Sequence, residues 1–231
     1  MVIILKRPLA ELDFLDIWDY IADDIPDGVD DFLDQKLVVY DKVKQDYAQN
    51  FNLAVFPSLG FNNTFAITIR SSDAKRLHIK TISDVAKYTQ QWQAGFGYEF
   101  LERADGFTGL AKTYGLKFTK PPKQMDLGLI YDALAKKQVD LIAGDSTNGL
   151  IPVLDLFVLK DDKNYFPPYQ AVPIFNQKIL QKHPEIGLAI NQLVGLISNE
   201  EMQKMNYEVD KQSQPVEVVV DNWLKSKQLK S

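Results

Sequence analysis

Two stretches of the chain combine aromatic with amide side chains and carry no charge: FNNTF at residues 61–65 and NYFPPY at residues 164–169. The faces of aromatic rings carry negative potential, so two or three rings directed at one point can hold a quaternary ammonium group. Arg103, in the stretch EFLERADG, can donate two parallel hydrogen bonds to a carboxylate. These residue types would suit a site for a small ligand, although aromatic rings next to prolines more often pack against the protein than line a ligand site.

Residues that could carry out catalysis are scarce. The only two histidines, His78 and His183, lie in different segments, and neither has a metal-ligating partner at helical spacing. The chain has no cysteine, which excludes disulfides, zinc–thiolate sites and thiol nucleophiles. No GxSxG or P-loop pattern occurs, and Gly95 and Gly97 lack the third glycine of a dinucleotide-binding fingerprint. We therefore predict that the protein is not an enzyme and holds no metal or cofactor.

Negative charge is concentrated at the start of the chain. The formal net charge is −5, and residues 1–50 hold twelve Asp and Glu against five Lys and Arg. A nucleic-acid-binding protein needs a basic surface to neutralise phosphates, so no nucleic-acid partner is predicted. Large apolar residues recur through the acidic residues 11–34, which predicts a helix with one buried face and one solvated acidic face.

After residue 50, short apolar runs alternate with helical patterns. Strands are predicted at residues 53–56, 65–69, 139–143 and 156–159, and helices at residues 83–91, 106–114, 127–134, 186–197, 200–207 and 216–225. Thr81 or Ser83 is a plausible N-cap for the helix at 83–91. Gly115 is expected to end the helix at 106–114. This alternation predicts an α/β fold with a largely parallel sheet.

The order of these motifs is similar to that of one known family. The stretches LGFNNTFA at residues 59–66, TISDVA at 81–86, EFLERADG at 99–106 and VDLIAGDSTNG at 139–149 follow one another as they do in that family. From about Leu5 to its end, the chain resembles the solute-binding proteins of ABC importers for the osmoprotectants glycine betaine, choline and carnitine.

The resemblance implies a two-lobed α/β fold of the periplasmic-binding-protein type II kind, in which two strands cross between the lobes near residues 63–67 and 170–174. Lobe I would comprise residues 1–64 and 173–231, and lobe II residues 65–172. The ligand is expected in the cleft between the lobes, which close on it by hinge motion.

The resemblance also implies roles for five residues. Phe65 stands where the family usually has a cage tyrosine, Tyr169 keeps another cage tyrosine, and Arg103 keeps the arginine that binds the ligand carboxylate. The main-chain carbonyl of Asn63 is expected to contact the cation. Asp145 departs from the family, because many members have a third cage tyrosine there. Its carboxylate would pair with an ammonium or accept a hydrogen bond from a hydroxyl, and either role shifts the preference away from glycine betaine.

A second departure concerns the first lobe. Residues 4–8 match the stretch that follows the family's first strand–helix–strand unit, whose Tyr-Thr-Gly-Thr motif supplies further ligand contacts. Lobe I is therefore expected to be incomplete at its N-terminus, and unpaired sheet edges there favour a homodimer. The other implied partner is an ABC permease subunit, and the implied location is extracytoplasmic, either periplasmic or membrane-tethered.

Two alternatives share the same fold. One is a ligand-sensing or protein-interaction module that uses the acidic helix as a contact surface. The other is a degenerate remnant that binds no ligand.

Overall fold

The computed structural model describes residues 32–230, with side chains from Tyr40 onward. Almost all of the predicted acidic helix at residues 11–34 lies outside this range. The strands are β1 (Leu53–Val55), β2 (Phe65–Arg70), β3 (Ala94–Phe96), β4 (Lys123–Gln124), β5 (Leu141–Asp145), β6 (Leu156–Val158) and β7 (Ile174–Asn176). The helices are α1 (Phe32–Phe51), α2 (Ser71–Leu77), α3 (Ile82–Val85), α4 (Tyr98–Glu102), α5 (Phe107–Tyr114), α6 (Ile130–Ala135), α7 (Leu150–Val153), α8 (Gln177–Lys182), α9 (Pro184–Asn191), α10 (Asn199–Asp210) and α11 (Val216–Ser226).

The described chain divides into two compact units. The larger unit contains Gly60–Gln170 and Ile197–Pro215, and the smaller contains residues 32–59, Ala171–Leu196 and residues 216–230. In the smaller unit, β1 and β7 form a two-stranded antiparallel sheet. The segment Ile197–Pro215 belongs to the larger unit, whereas the predicted lobes assign it to lobe I, and the lobe boundaries stay a prediction.

The larger unit is built on a five-stranded mixed sheet with the order β4-β3-β5-β2-β6. β3 runs parallel to β4 and β5, but β2 runs antiparallel to both of its neighbours, β5 and β6. β4, β3, β5 and β6 therefore run in the same direction, which agrees with the prediction of a largely parallel sheet, and β2 is the exception in this sheet. Alternation of strands and helices along a sequence does not fix strand direction, and β2 is inserted between two strands that run the opposite way.

Both faces of this sheet are covered, which explains the continuous apolar runs of its strands. On β5, Leu141 and Ala143 pack into one hydrophobic cluster, while Ile142 points into a second cluster on the other face. Ile67 and Ile69 of β2 join the first cluster. Helices on each face, together with loops and neighbouring strands, complete the two clusters, so the unit is a three-layer α/β structure and the predicted fold class is confirmed at this level.

Local sequence rules explain several helix ends. Thr81 caps α3, since its Oγ1 accepts a hydrogen bond from the Asp84 amide and the Asp84 carboxylate accepts one from the Thr81 amide. α3 nevertheless ends at Val85, and turns replace the rest of the helix predicted at 83–91. Gly115 ends α5 with a left-handed φ of 67°, as predicted.

Arg70, the last residue of β2, ties the sheet to the helices beside it. Its guanidinium donates to the carboxylates of Asp73 and Asp140, each at 2.6 Å, and to the main-chain oxygens of Leu134 at 3.0 Å and Val139 at 2.6 Å. Only 11% of the side chain is exposed. Four of the five guanidinium N–H groups have an acceptor, and this largely buried network fixes the end of β2 that is distant from Phe65.

Within residues 32–230, no helix combines the length and the apolar character that crossing a membrane requires.

Candidate functional site

The register of the sheet brings two of the predicted site residues together. Phe65, the first residue of β2, lies directly opposite Asp145, the last residue of β5. Residues paired in this way place their side chains on the same face of the sheet, with Cβ atoms roughly 5 Å apart. An aromatic ring and a carboxylate that are 80 positions apart in the sequence therefore share one end of the sheet.

The Phe65 ring lies at the margin of the hydrophobic core. Its centroid is 4.9 Å from that of Phe100 and 6.0 Å from that of Phe166, both of which are buried. Arg103 lies against the same ring, with its Cζ atom 5.9 Å from the centroid. Phe65 is only partly buried. It therefore combines a packing role with a position beside charged groups.

The guanidinium of Arg103 is already engaged by carboxylates of the chain. Its Nε and Nη2 atoms donate to the two oxygens of Asp105 at 2.9 and 2.8 Å, and Nη1 donates to Glu99 at 3.3 Å. The hydrogen bonds from Arg103 to Asp105 raise the pKa of the guanidinium above its ordinary value, so the group is always charged. The two-pronged edge predicted to receive a ligand carboxylate is filled by Asp105.

Asp145 differs from these carboxylates because no group in residues 32–230 donates a hydrogen bond to its side chain. The residue keeps more than a third of its surface exposed, yet the atoms around the carboxyl group exclude enough water to raise its pKa. The negative charge of Glu99 raises this pKa further. The main chain of Asp145 is held by Tyr131, whose hydroxyl donates to the Asp145 oxygen at 3.1 Å.

Gly144 makes this contact between Tyr131 and the main chain possible. A Cβ atom on Gly144 would lie 2.2 Å from the Tyr131 hydroxyl oxygen, a distance that real atoms do not adopt. Only glycine therefore fits immediately before Asp145.

Asn63 and Tyr169 meet through the backbone. The Asn63 amide donates to the Tyr169 oxygen at 2.9 Å, and the Tyr169 amide donates to the side chain of Asn62. The Asn63 side chain accepts a hydrogen bond from Thr147, two residues beyond Asp145, at 2.7 Å. Tyr169 is also close enough to Arg103 to influence its pKa. All five predicted residues thus lie at the same end of the sheet in the larger unit.

Several residues that shape this site were missed by sequence reasoning. Asn62 and Asn199 exchange reciprocal hydrogen bonds at 3.0 and 3.1 Å and so hold the loop before β2. Glu99 precedes Arg103 by four residues, a spacing that predicts an ion pair on a helix. Asp105 follows Arg103 by two residues, and no spacing rule predicts that contact.

The site carries excess negative charge. Arg103 is balanced by Asp105, which leaves Glu99 and Asp145 to attract a cation. In the described part of the chain, no three His, Cys, Asp or Glu side chains are grouped so as to hold a metal ion. The arrangement supplies an aromatic ring and carboxylates, which suit an organic cation.

Comparison with known proteins also points to a domain that binds a small organic solute. Residues 14–226 match the family model of the substrate binding domain of ABC-type glycine betaine transport systems.

Two curated relatives illustrate the range of this similarity. The carnitine transport binding protein of Listeria monocytogenes is 41% identical over 183 residues, which are 79% of this chain and 59% of that protein. The ergothioneine transport permease/ergothioneine binding protein of Helicobacter pylori is 36% identical over 187 residues, which are 81% of this chain and 34% of that protein. The chain thus spans less than two thirds of either relative.

A solved structure agrees with the fold. The crystal structure of a glycine betaine/carnitine/choline ABC transporter superposes with a TM-score of 0.79 at 37% sequence identity, covering 86% of this chain and 71% of the other.

Proposed function

Because the chain belongs to the family of substrate-binding domains of ABC-type glycine betaine transport systems, we propose that it binds a small osmoprotectant and delivers it to an ABC permease. The predicted family and the periplasmic-binding-protein type II fold are confirmed. Its relatives are transport binding proteins and not enzymes. The ligand class proposed here is a quaternary-ammonium compound or zwitterion such as glycine betaine, choline or carnitine.

The observation that supports this ligand class is the convergence of Phe65, Arg103 and Asp145 at one end of the sheet. Glycine betaine, carnitine and choline all have a trimethylammonium group, which an aromatic ring and a carboxylate stabilise together. We assign Phe65 and Tyr169 to the ammonium group, with the Asn63 carbonyl oxygen as a further electrostatic contact to the cation. Binding and release involve no bond making, so the side chains need only match the ligand in shape and charge.

The permease partner and the location belong to the same proposal. One relative is named as both a permease and a binding protein, which supports a permease as the partner of this chain. A binding domain of an importer collects its solute outside the cytoplasmic membrane, so we propose an extracytoplasmic location. The ligand position in a cleft between lobes and homodimerisation through lobe I stay predictions, the latter measurable by light scattering.

A thermal-unfolding screen tests the proposal. A ligand present at about 100 times its Kd stabilises the folded state by about 2.7 kcal/mol, which raises the Tm of a protein of this size by roughly 5–10 °C. We expect such a shift with at least one of glycine betaine, choline, carnitine and proline betaine. Proline and sodium chloride at the same concentration serve as controls. A folded protein whose Tm moves with none of the four compounds would contradict the proposal.

A further inference from the structure

We propose that Asp145 and Asp105 make this site selective by net charge, so that it prefers cations without a carboxylate, such as choline, over zwitterions such as glycine betaine. The inference rests on the proposed function, because it concerns the same ligand site. It goes further in naming the charge of the preferred ligand and the residues that set it.

Arg103 is the side chain that would bind the carboxylate of a zwitterion. Asp105 takes the Nε and Nη2 hydrogens of Arg103 in a two-pronged pair at 2.9 and 2.8 Å, and Glu99 takes one hydrogen of Nη1. Only 13% of the Arg103 side chain is exposed, so the guanidinium has little freedom to turn toward another partner. A ligand carboxylate must therefore displace Asp105 or accept the two remaining N–H groups from a less favourable side.

Asp145 supplies the negative charge that would bind a cation. Asp145 lies opposite Phe65 in the sheet, and within residues 32–230 its side chain accepts no hydrogen bond. An ammonium group placed between the Phe65 ring and Asp145 would contact both the ring face and a negative charge. The exposed surface of Asp145 leaves it accessible to such a group.

Negative charge exceeds positive charge around the proposed ligand position. Arg103 pairs with Glu99 and Asp105, and the charge of Glu99 also acts on Asp145, so one guanidinium and three carboxylates lie at this end of the sheet. A cation is attracted by this excess of negative charge, whereas the carboxylate of a zwitterion is repelled by it. For partly solvated charges, we expect the two effects together to favour the cation by about tenfold in Kd.

Calorimetric titration with three probes tests the inference: tetramethylammonium, choline and glycine betaine. We expect wild-type protein to bind choline about tenfold more tightly than glycine betaine. Asp145→Asn, which keeps the shape and removes the charge, should weaken choline and tetramethylammonium by similar factors of about ten. Asp105→Asn should strengthen glycine betaine, because it frees the charge of Arg103.

The matched control is Asp155→Asn. Asp155 is exposed and precedes β6, at the far end of the sheet from Phe65. It adopts a left-handed φ of 49°, which asparagine also tolerates. This variant removes the same charge from the same unit and should leave all three affinities unchanged. Circular dichroism establishes that each variant is folded.

Three results would overturn the inference. Wild-type protein could bind glycine betaine more tightly than choline. Asp145→Asn could leave the ratio of the two affinities unchanged. It could also weaken choline alone and spare tetramethylammonium, which would make Asp145 an acceptor for the choline hydroxyl and not a charge partner. The absence of binding by all probes would instead contradict the proposed function, so the two failures are distinguishable.

Discussion

Asp145 ends β5 with its carboxylate beside a phenyl ring and with no donor to it among residues 32–230. Burial and the charge of Glu99 both raise its pKa, so the ionised form is less stable here than in water. A structural carboxylate is normally paired, as Asp105 is with Arg103 and Asp73 with Arg70. A carboxylate left without a partner beside an aromatic ring fits a role in which the ligand supplies the missing charge.

This placement predicts a conflict between stability and binding. Because the pKa of Asp145 is higher in the folded than in the unfolded protein, the folded state binds more protons between the two values. The free energy of unfolding of the wild type therefore falls as pH rises through that interval. Asp145→Asn should make the unliganded protein more stable at pH 7, with a difference that shrinks toward pH 4.

Urea unfolding, followed by tryptophan fluorescence between pH 4 and pH 7.5, measures this difference. Asp155→Asn, which removes an exposed carboxylate at the other end of the sheet, is the matched control. A less stable Asp145→Asn protein at pH 7, or a difference independent of pH, would show that Asp145 is not a strained carboxylate.

The individual site residues were accessible from the sequence to different degrees. Phe65, Tyr169 and Arg103 belong to motifs whose residue types suggest a ligand for a physical reason. The neighbouring positions of Phe65 and Asp145 depend on strand register, which a sequence does not specify when each strand is buried on both faces. Asp105 was equally hidden, because its contact with Arg103 follows from the turn before α5 and not from helical periodicity.

At the scale of elements, apolar runs located the strands well, and local chemistry located some helix ends. Predicted strands at residues 65–69 and 139–143 overlap β2 and β5, which carry the site. The antiparallel direction of β2 was not predicted, because an antiparallel insertion leaves no trace in the order of strands and helices. α3 begins with a complete capping box but is only four residues long, because a cap determines where a helix starts and not where it ends.

The Arg70 network should carry much of the stability of these elements. Lysine keeps the charge but has no planar fork, so Arg70→Lys would leave some of the four acceptors without a donor. We expect a loss of about 2–3 kcal/mol in the free energy of unfolding.

Urea unfolding at pH 7 measures this loss against Arg76→Lys. Arg76 also pairs with Asp73 but has 64% of its side chain exposed, so its substitution should cost no more than about 0.5 kcal/mol. Equal effects of the two substitutions would mean that the Arg70 network contributes little beyond a surface ion pair.

For the molecule as a whole, composition excluded classes of function, and ordered motifs identified one. The net charge of −5 and the absence of cysteine predict that the chain neither binds nucleic acid nor carries out thiol chemistry. The family resemblance, carried by motifs spread along the chain, is confirmed by a match over residues 14–226. Asp145 already predicts a shift of ligand preference away from glycine betaine, whereas the pairing of Asp105 with Arg103 is visible only in the structure.

The central claim is that the chain binds a quaternary ammonium solute at the end of the sheet where Phe65 and Asp145 meet. Isothermal titration calorimetry with choline, carnitine and glycine betaine, on wild-type and Tyr169→Ala proteins, tests it most directly. We predict saturable one-to-one binding of at least one solute, weakened at least about tenfold by Tyr169→Ala and unchanged by Asp155→Asn. Folded wild-type protein that releases no heat of binding with any of the three, or a Tyr169→Ala protein that binds as tightly as wild type, would contradict it.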